Sequence, residues 1–378
     1  MKIVKKNSIT SAAAVLILFL IGIVILSYPQ LHFTVYAGGT TSCIDYDRTE
    51  NTITISCDHA SFGDVANTIN DQSVLTNLGD NGEYLLNANL QVDDDATLSM
   101  DSSDDVKWLK IAGANGIIVN GRIEIDGVKI TSWDTQANSP ILQTSTGSIP
   151  RAFMNLRGSE RGSGFIHNSE IAYLGYQEFG RRGFDLFGGD ENSHDMVIRG
   201  SKFHHMWFAF YSRGAYNITI DGNEYYDNIK YALDPHSGTH DMNITNNWLH
   251  DNPIGVICSD QCYNILIEGN RAEDNTKAGI YFSRGMHDSI ARNNHIYNAS
   301  TGILVSESPN NQIYGNTIER ATSRGILLHN PPVSDDGFTQ NNHVYNNTIS
   351  NSAHGIRETR SHGNILEDNK FHNIESDD

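Results

Sequence analysis

The chain has 378 residues, with 26 Lys and Arg against 45 Asp and Glu and a formal net charge of −19. That balance excludes a general binder of nucleic acid or of anionic membrane, either of which needs a basic surface. A polyanionic ligand would have to find a local cationic groove.

The opening MKIVKKNSIT supplies three lysines, and an uncharged apolar run follows and ends at Pro29. Residues 1–37 therefore read as a signal peptide or an N-terminal membrane anchor, with residues 9–28 as the membrane-seeking part and a cleavage point after Ala37. Both readings place the remainder outside the cytoplasm, secreted or at the cell surface. Four cysteines suit an oxidising compartment. Cys43 and Cys57 flank IDYDRTENTITIS, a hairpin pattern, and Cys258 and Cys262 flank Ser-Asp-Gln. Two local disulfides are expected, with isolated buried thiols as the alternative; neither pair has the spacing of a zinc knuckle. SFGDVANTINDQ is the best helix candidate, with Phe62, Val65 and Ile69 three and four apart. It would cover the open N-terminal end of a repeat core, making 38–83 a cap region. Asp93–Asp95 read as a solvated turn, with calcium as the lesser alternative. Short strands occupy WLKIAGANGIIVNGRIEIDGVKITSW, and 138–163 reads as a long excursion.

A repeat then takes over. The phrase aliphatic-x-x-Asn recurs at Asn223, Asn247, Asn270, Asn293, Asn316, Asn347 and Asn369, in steps of 24, 23, 23, 23, 31 and 22 residues. A second register of small-then-apolar pairs runs beside it, from Gly183-Phe184 through Ala232-Leu233 to Gly355-Ile356. Two features with one period mean stacked structural units. The apolar runs between them are three to five residues long and β-branched, too short for helices. The physical solution is a parallel β-helix over residues 84–378, in which each short strand pairs with the next coil about 4.8 Å away. Asn suits a fixed corner because it tolerates left-handed backbone and its amide can bond the amide one coil on. The 31-residue step carries a loop, NPPVSDDGFTQ.

One stretch interrupts this pattern with chemistry. YALDPH places Tyr231, Asp234 and His236 on one coil. Tyr211 and Arg213 lie one coil earlier, Asp260 one coil later, and Lys277 and Arg284 on the coil after that. Outward side chains of successive coils stack in register, so these residues can form one acid/base site beside cations. His is the side chain best suited to proton transfer near neutral pH, and a tyrosine whose pKa is lowered by cations would be its counterpart. Residues 30–150 hold 17 acids and 5 bases, so much of the negative charge lies away from the later coils.

YALDPH resembles the Tyr-Gly-[Phe/Ile]-Asp-Pro-His signature of mannuronan C5-epimerases, which convert β-D-mannuronate to α-L-guluronate within alginate. The resemblance runs from about residue 165 to 370 and is nearest the exported single-domain type. It implies a right-handed helix, catalytic roles for His236, Tyr231, Asp234 and Asp260, and substrate binding by Lys277, Arg284, Arg213 and Tyr211. In the family pattern one of the His/Tyr pair removes the C5 proton, the other returns a proton from the opposite face, and a further group neutralises the carboxylate. Here the chain departs: Asp260 stands where the exported branch carries Arg after Ile-Ser, and Lys277-Ala278 replaces an Arg-His. The neutralising group is then Asp260, Lys277 or Arg284. The substrate implied is an anionic polysaccharide, polymannuronate or alginate, acted on by a monomer. No cofactor is required, with calcium the one ion left open. A uronan lyase of the same fold begins with the same proton abstraction and is the nearest rival; a non-catalytic glycan-binding surface protein is the reading from another class.

Overall fold

The computed structural model describes residues 43–79, 81–103, 106–157, 162–188, 195–332 and 338–375. The expected leader or anchor, residues 1–37, lies outside them, as do residues 333–337 at the centre of the 330–340 loop and the last three residues. No helix among the described residues is long and apolar enough to cross a membrane.

Three sheets of 13, 12 and 14 strands run the length of the described residues, parallel except where Ile44–Asp47, Leu75–Asn77 and Ser139–Pro140 add antiparallel edges. Each coil gives one short strand to each sheet and then turns a corner. Inward residues stack row upon row. Leu233, Val256, Ile280 and Ile303 are Cα partners in the first sheet, and Ile220, Ile244, Ile267, Ala291 and Ile313 in the second. Each of them is at most 1 % exposed. The small residues of the second register stand where the coil turns sharply against the third sheet: a Cβ on Gly279 would lie 2.6 Å from Ile296 Cγ2.

Asparagine holds the corners. The Oδ1 of Asn247 accepts from both the backbone and side-chain amides of Asn223, at 3.0 Å each, and the motif continues through Asn270, Asn294, Asn316, Asn347 and Asn369. The rung expected at Asn293 is Asn294. The inward partner of Ile267 is Ala291, not Ile290, so a search keyed to large aliphatics slips by one residue. Asn293 sits exposed at the left-handed position beside it, φ 54°. Shorter ladders stand at the other two corners: Asn228–Asn252–Asn275 and Asn311–Asn342–Asn364. The first of these opens the coil that carries YALDPH.

At the N-terminal end, Ile44–Asp47 and Thr52–Ile55 form the expected hairpin, and Thr52–Ile55 pairs in parallel with Asn89–Val92. Cys43 and Cys57 are bridged. The helix spans Phe62–Ile69 with Ser61 and Asp64 as a reciprocal capping box, and it buries Phe62 and Val65. Part of the expected excursion is regular: Phe153–Arg157 is a strand of the first sheet, between Gly116–Val119 and Gly183–Phe187. The second expected disulfide is absent. Cys258 and Cys262 are both free and buried, Cys258 as an inward core residue paired with Phe282. The Cys262 thiol donates to the Ser259 carbonyl at 3.1 Å. The spacing fits a bridge, but both thiols stay reduced within the same apolar core.

Candidate active site

The first sheet builds the site from three neighbouring strands, Gly183–Phe187, Phe208–Arg213 and Tyr231–His236. A β-bulge shifts the pairing between Gly183 and Asp185, so Tyr211 falls opposite Asp185. Asp185, Tyr211 and Asp234 therefore share one row, and Phe187, Arg213, His236 and Ser259 share the next outward row. Pro235 is buried inside the site strand, where Ser212 is its Cα partner. Behind it Thr239 Oγ1 donates to the His236 carbonyl at 2.8 Å and lies 3.0 Å from Ser212 Oγ, which holds the turn that follows.

A cleft of about 350 Å³ opens over these strands, with Tyr211, Tyr231, Asp234, His236 and Arg284 among its walls. Three other expected residues lie outside its lining. Asp260 sits behind His236, Arg213 is exposed with its guanidinium 5.8 Å from the Phe179 ring, and Lys277 is exposed on the corner two coils after Lys230. The lining also includes residues that sequence reasoning missed: Arg182, Lys230, Ser259, Gln177, Trp207 and Phe208. Arg182 and Lys230 stand one and two positions ahead of the small-apolar marks Gly183 and Ala232. That recurrent place at the mouth of the strand was the signal available for them. The excursion packs behind one wall, against Trp207. Gly147 faces the Trp207 ring, where a Cβ would meet Cζ2 at 2.6 Å. The fully buried Arg151 ties this segment down through bonds to the carbonyls of Gly175, Leu174, His205 and Ile141.

The hydrogen bonds around His236 have one consistent direction. Arg284 Nη2 lies 3.0 Å from His236 Nε2, and a guanidinium can only donate, so Nε2 accepts. The proton of neutral His236 then sits on Nδ1, which donates to Ser237 Oγ at 2.6 Å; Ser237 Oγ donates to Asp260 Oδ2 at 2.7 Å. Asp260 thus reaches the imidazole through a serine, with its own oxygen 3.7 Å from Nδ1. Burial and then the Arg284 charge push the His236 pKa down to about 4, against the pull of Asp260, with Arg182 and Arg213 adding to the depression.

The tyrosines go the other way from the sequence-based expectation. Burial raises Tyr231, with Asp234 and Tyr281 adding to it, and outweighs Arg284. Burial raises Tyr211 as well, although the Arg182 guanidinium lies 4.2 Å from its ring centroid. Both phenols are therefore proton donors at neutral pH. Asp234 is 3 % exposed, has an unpartnered Oδ1 and is pushed well above the usual carboxylate range by burial, despite Arg182 and Arg284. The cleft thus joins a neutral imidazole, a protonated phenol and a protonated carboxyl to the cations Arg182, Lys230 and Arg284. Such a set can take a proton from one place on an anionic ligand and give one at another. Among the described residues no three His, Cys, Asp or Glu side chains converge as metal ligands.

Asp185 gives this row a measurable pH dependence. Burial pushes its carboxyl up to about 7, opposed by the 2.7 Å bond from the Arg182 backbone N–H and by the Arg182 charge. An unfolded Asp titrates near 4, so between about 4 and 7 the folded chain binds more protons than the unfolded one. The contribution of Asp185 is therefore present below that window and is lost as pH rises through it. His236 works in the opposite sense, since its depressed pKa removes stability as pH falls from about 6.5 towards 4. Asp185→Asn keeps an acceptor for Arg182 and should flatten the loss on the alkaline side. Unfolding midpoints at pH 6.5 and 8.5 are expected to fall further apart for the parent chain than for the variant; equal drops would show that Asp185 is ionised throughout.

The family model "Right handed beta helix region" matches residues 115–290 and 236–377. A mannuronan C5-epimerase of Pseudomonas fluorescens is 26 % identical over 177 residues, covering 45 % of this chain and 33 % of that protein. The chain thus spans about a third of the length of the curated relatives it matches. Among solved structures, the periplasmic alginate epimerase AlgG superposes with a TM-score of 0.73 at 20 % identity over 85 % of each chain. The A-module of the Azotobacter vinelandii mannuronan C-5 epimerase AlgE6 does so with a TM-score of 0.58 at 20 % identity, over 77 % of this chain and 84 % of that one. At that identity the likeness is one of fold.

Proposed function

The chain belongs to the right handed beta helix family, and we propose that within it this protein is a mannuronan C5-epimerase, converting β-D-mannuronate to α-L-guluronate inside an alginate-like polymer. The observation that carries this reading is the opposed protonation of two groups in one cleft: His236 neutral with an accepting Nε2, Tyr231 holding its proton. The likeness to proteins named mannuronan C5-epimerase supports it.

The chemistry follows from the charges. A C–H beside a carboxylate is a very weak acid because its removal concentrates negative charge on that carboxylate. Arg284, with Arg182 and Lys230 beside it, would bind the carboxylate and stabilise the charge as it develops. The C5–H pair then delocalises into the carboxylate while the proton passes to His236 Nε2. Asp260, through Ser237, steadies the imidazolium that forms. Tyr231 delivers its proton to C5 from the other face, and exchange with solvent resets both groups. Asp234, protonated, would donate a hydrogen bond to a sugar oxygen. Every proton and charge in this scheme is handled by side chains, so the scheme itself requires no metal, and calcium stays an open addition that incubation with a chelator tests. We further propose that residues 1–37 direct export or anchor the protein, in keeping with the periplasmic place of the similarly folded alginate epimerase, that 38–83 cap the solenoid, and that 84–378 act as a monomeric catalytic unit outside the cytoplasm.

Incubation of polymannuronate in D2O with a chelator present tests this. The expected product is guluronate carrying deuterium at C5, in polymer of undiminished length and without ultraviolet absorbance. Shortened, absorbing product without guluronate would make the protein a lyase, which shares the first step but expels the 4-linked sugar. Unchanged polymannuronate, together with other uronans returned unchanged, would leave a glycan-binding surface protein.

A further inference from the structure

We propose that Arg284 locks the base until substrate binds and that the ligand's own carboxylate is the key. This rests on His236 being the base. The guanidinium covers the lone pair that would take the proton, since Nη2 lies 3.0 Å from His236 Nε2. It is held there by Ser259 Oγ, 3.1 Å from Nε and 2.9 Å from Nη2. Arg284 comes from a corner two coils beyond His236 and reaches back across the intervening coil to do this.

A second feature points to the missing partner. Among the described residues Arg284 has no carboxylate partner, whereas Arg122, Arg199, Arg271 and Arg292 each have one within 3.1 Å. Nor does Nη1 have a hydrogen-bond partner there. Asp234 does not fill the gap, because it is buried and held protonated. A guanidinium binds a carboxylate through two parallel N–H bonds, and these are stronger than one bond to a neutral ring nitrogen. A uronate bound to Nη1 and Nη2 would therefore draw Nη2 off Nε2 and expose the lone pair beside the C–H it is to attack. A neutral sugar brings nothing to displace the guanidinium, so the base stays covered. Selectivity for uronates is then set at the proton-transfer step as well as at binding.

The lock also tunes the base. The charged groups around His236 are Arg284, Arg182 and Arg213 on the depressing side and Asp260 on the raising side; the Tyr211 ring, 5.5 Å from the imidazole, is uncharged at neutral pH. When Arg284 turns to a carboxylate, its positive charge is neutralised and a negative one arrives. The imidazole becomes a stronger base at the moment of use.

Nuclear magnetic resonance of the full chain with labelled histidine reads this directly, with His236 assigned from its loss in His236→Gln. In the ligand-free protein Nε2 should show the shift of an accepting, unprotonated nitrogen and titrate near 4. A mannuronate tetramer should raise that midpoint by about one pH unit or more, and neutral mannotetraose should not move it. Arg284→Gln should raise the midpoint without ligand and abolish the response to the uronate. Arg284→Lys, which keeps the charge but not the fork, should keep part of the depression and serves as the folded control. An unchanged midpoint in ligand-free Arg284→Gln, or an equal shift with mannotetraose, overturns the lock whatever the turnover. The expected shifts in a protein that forms no guluronate would keep the lock and refute the epimerase.

Discussion

His236→Ala should lower turnover of polymannuronate by about 10²- to 10⁴-fold, the range for loss of a positioned general base, and Tyr231→Phe should do comparable damage in a different way. If His236 removes the C5 proton and Tyr231 returns one from the opposite face, the two variants part in D2O. Without the imidazole nothing takes the proton, so both guluronate formation and hydrogen–deuterium exchange at C5 should stop. Without the phenol the imidazole still takes the proton, exchanges it with solvent and gives a deuteron back on the same face. Tyr231→Phe should therefore place deuterium in mannuronate while making almost no guluronate. The converse pattern, with exchange surviving in His236→Ala and lost in Tyr231→Phe, would reverse the two roles. Neither change threatens the fold. The His236 side chain is 20 % exposed and held mainly by Ser237 and Arg284, and Tyr231 loses only a hydroxyl. In the parent chain the acid limb of kcat/KM should lie near the His236 midpoint of about 4. Asp260→Asn should cost less than either, because Asp260 acts through Ser237 and has no place in the cleft lining.

Most of the fold was legible because a solenoid writes its period into the chain. The Asn corners and the small-then-apolar marks are each forced by geometry that every coil repeats, the former by amide bonding from coil to coil, the latter by close approach of the third sheet. The left-handed backbone expected of the corner asparagines falls instead on the residue before each rung, such as Asn246, Gly269 and Asn293. Legibility failed where a coil met the rule with an unusual residue. Ala291 fills an inward place usually held by a larger aliphatic, and so the phrase points to Asn293 where the rung is Asn294. At the site, residues of the YALDPH strand were found because a Pro and two ionisable groups are foreign to a scaffold strand. Arg182 and Lys230 were missed because cations at corners look like solvated surface until the cleft is seen. Asp260 was legible as a neighbour but not in its bearing: the corner turns it towards Ser237, and Arg284 reaches back into the space over His236. Pairing of Cys258 with Cys262 failed because spacing does not show that both thiols are buried in the apolar core, with Cys262 donating to the Ser259 carbonyl. The tyrosine expectation failed because burial, invisible in sequence, outweighed the nearby cations.

The corner asparagines lead to the largest expected loss of stability, and the one-residue slip makes it a sharp comparison. Asn270 is 1 % exposed, and its Oδ1 accepts from the backbone N–H of Asn247 at 2.9 Å and from its side-chain amide at 3.0 Å. Its own amide donates to the carbonyls of Ile244 and Glu268 and to Asn294 Oδ1. Asn270→Leu has nearly the same size but removes every one of these bonds. It leaves at least the Asn247 N–H without its partner inside the coil stack, at about 1–3 kcal/mol for each orphaned buried group. The total expected is about 3–5 kcal/mol, in the range that marks a broken buried network. Asn293→Gly removes an asparagine of the same phrase from the exposed position beside the ladder. There the side chain makes one bond of 3.3 Å to Glu268, and glycine accepts the φ of 54° without strain; the cost should stay below about 1 kcal/mol. Urea unfolding midpoints of the two variants decide the matter. Because each coil contacts only its neighbours, the Asn270 defect should loosen the middle of the solenoid first. Amide exchange should then accelerate at Asn223, Asn247 and the strands beside them, including Tyr231–His236 in the coil between. Similar midpoints for the two variants would mean that the ladder merely decorates a stack held by its aliphatic rows.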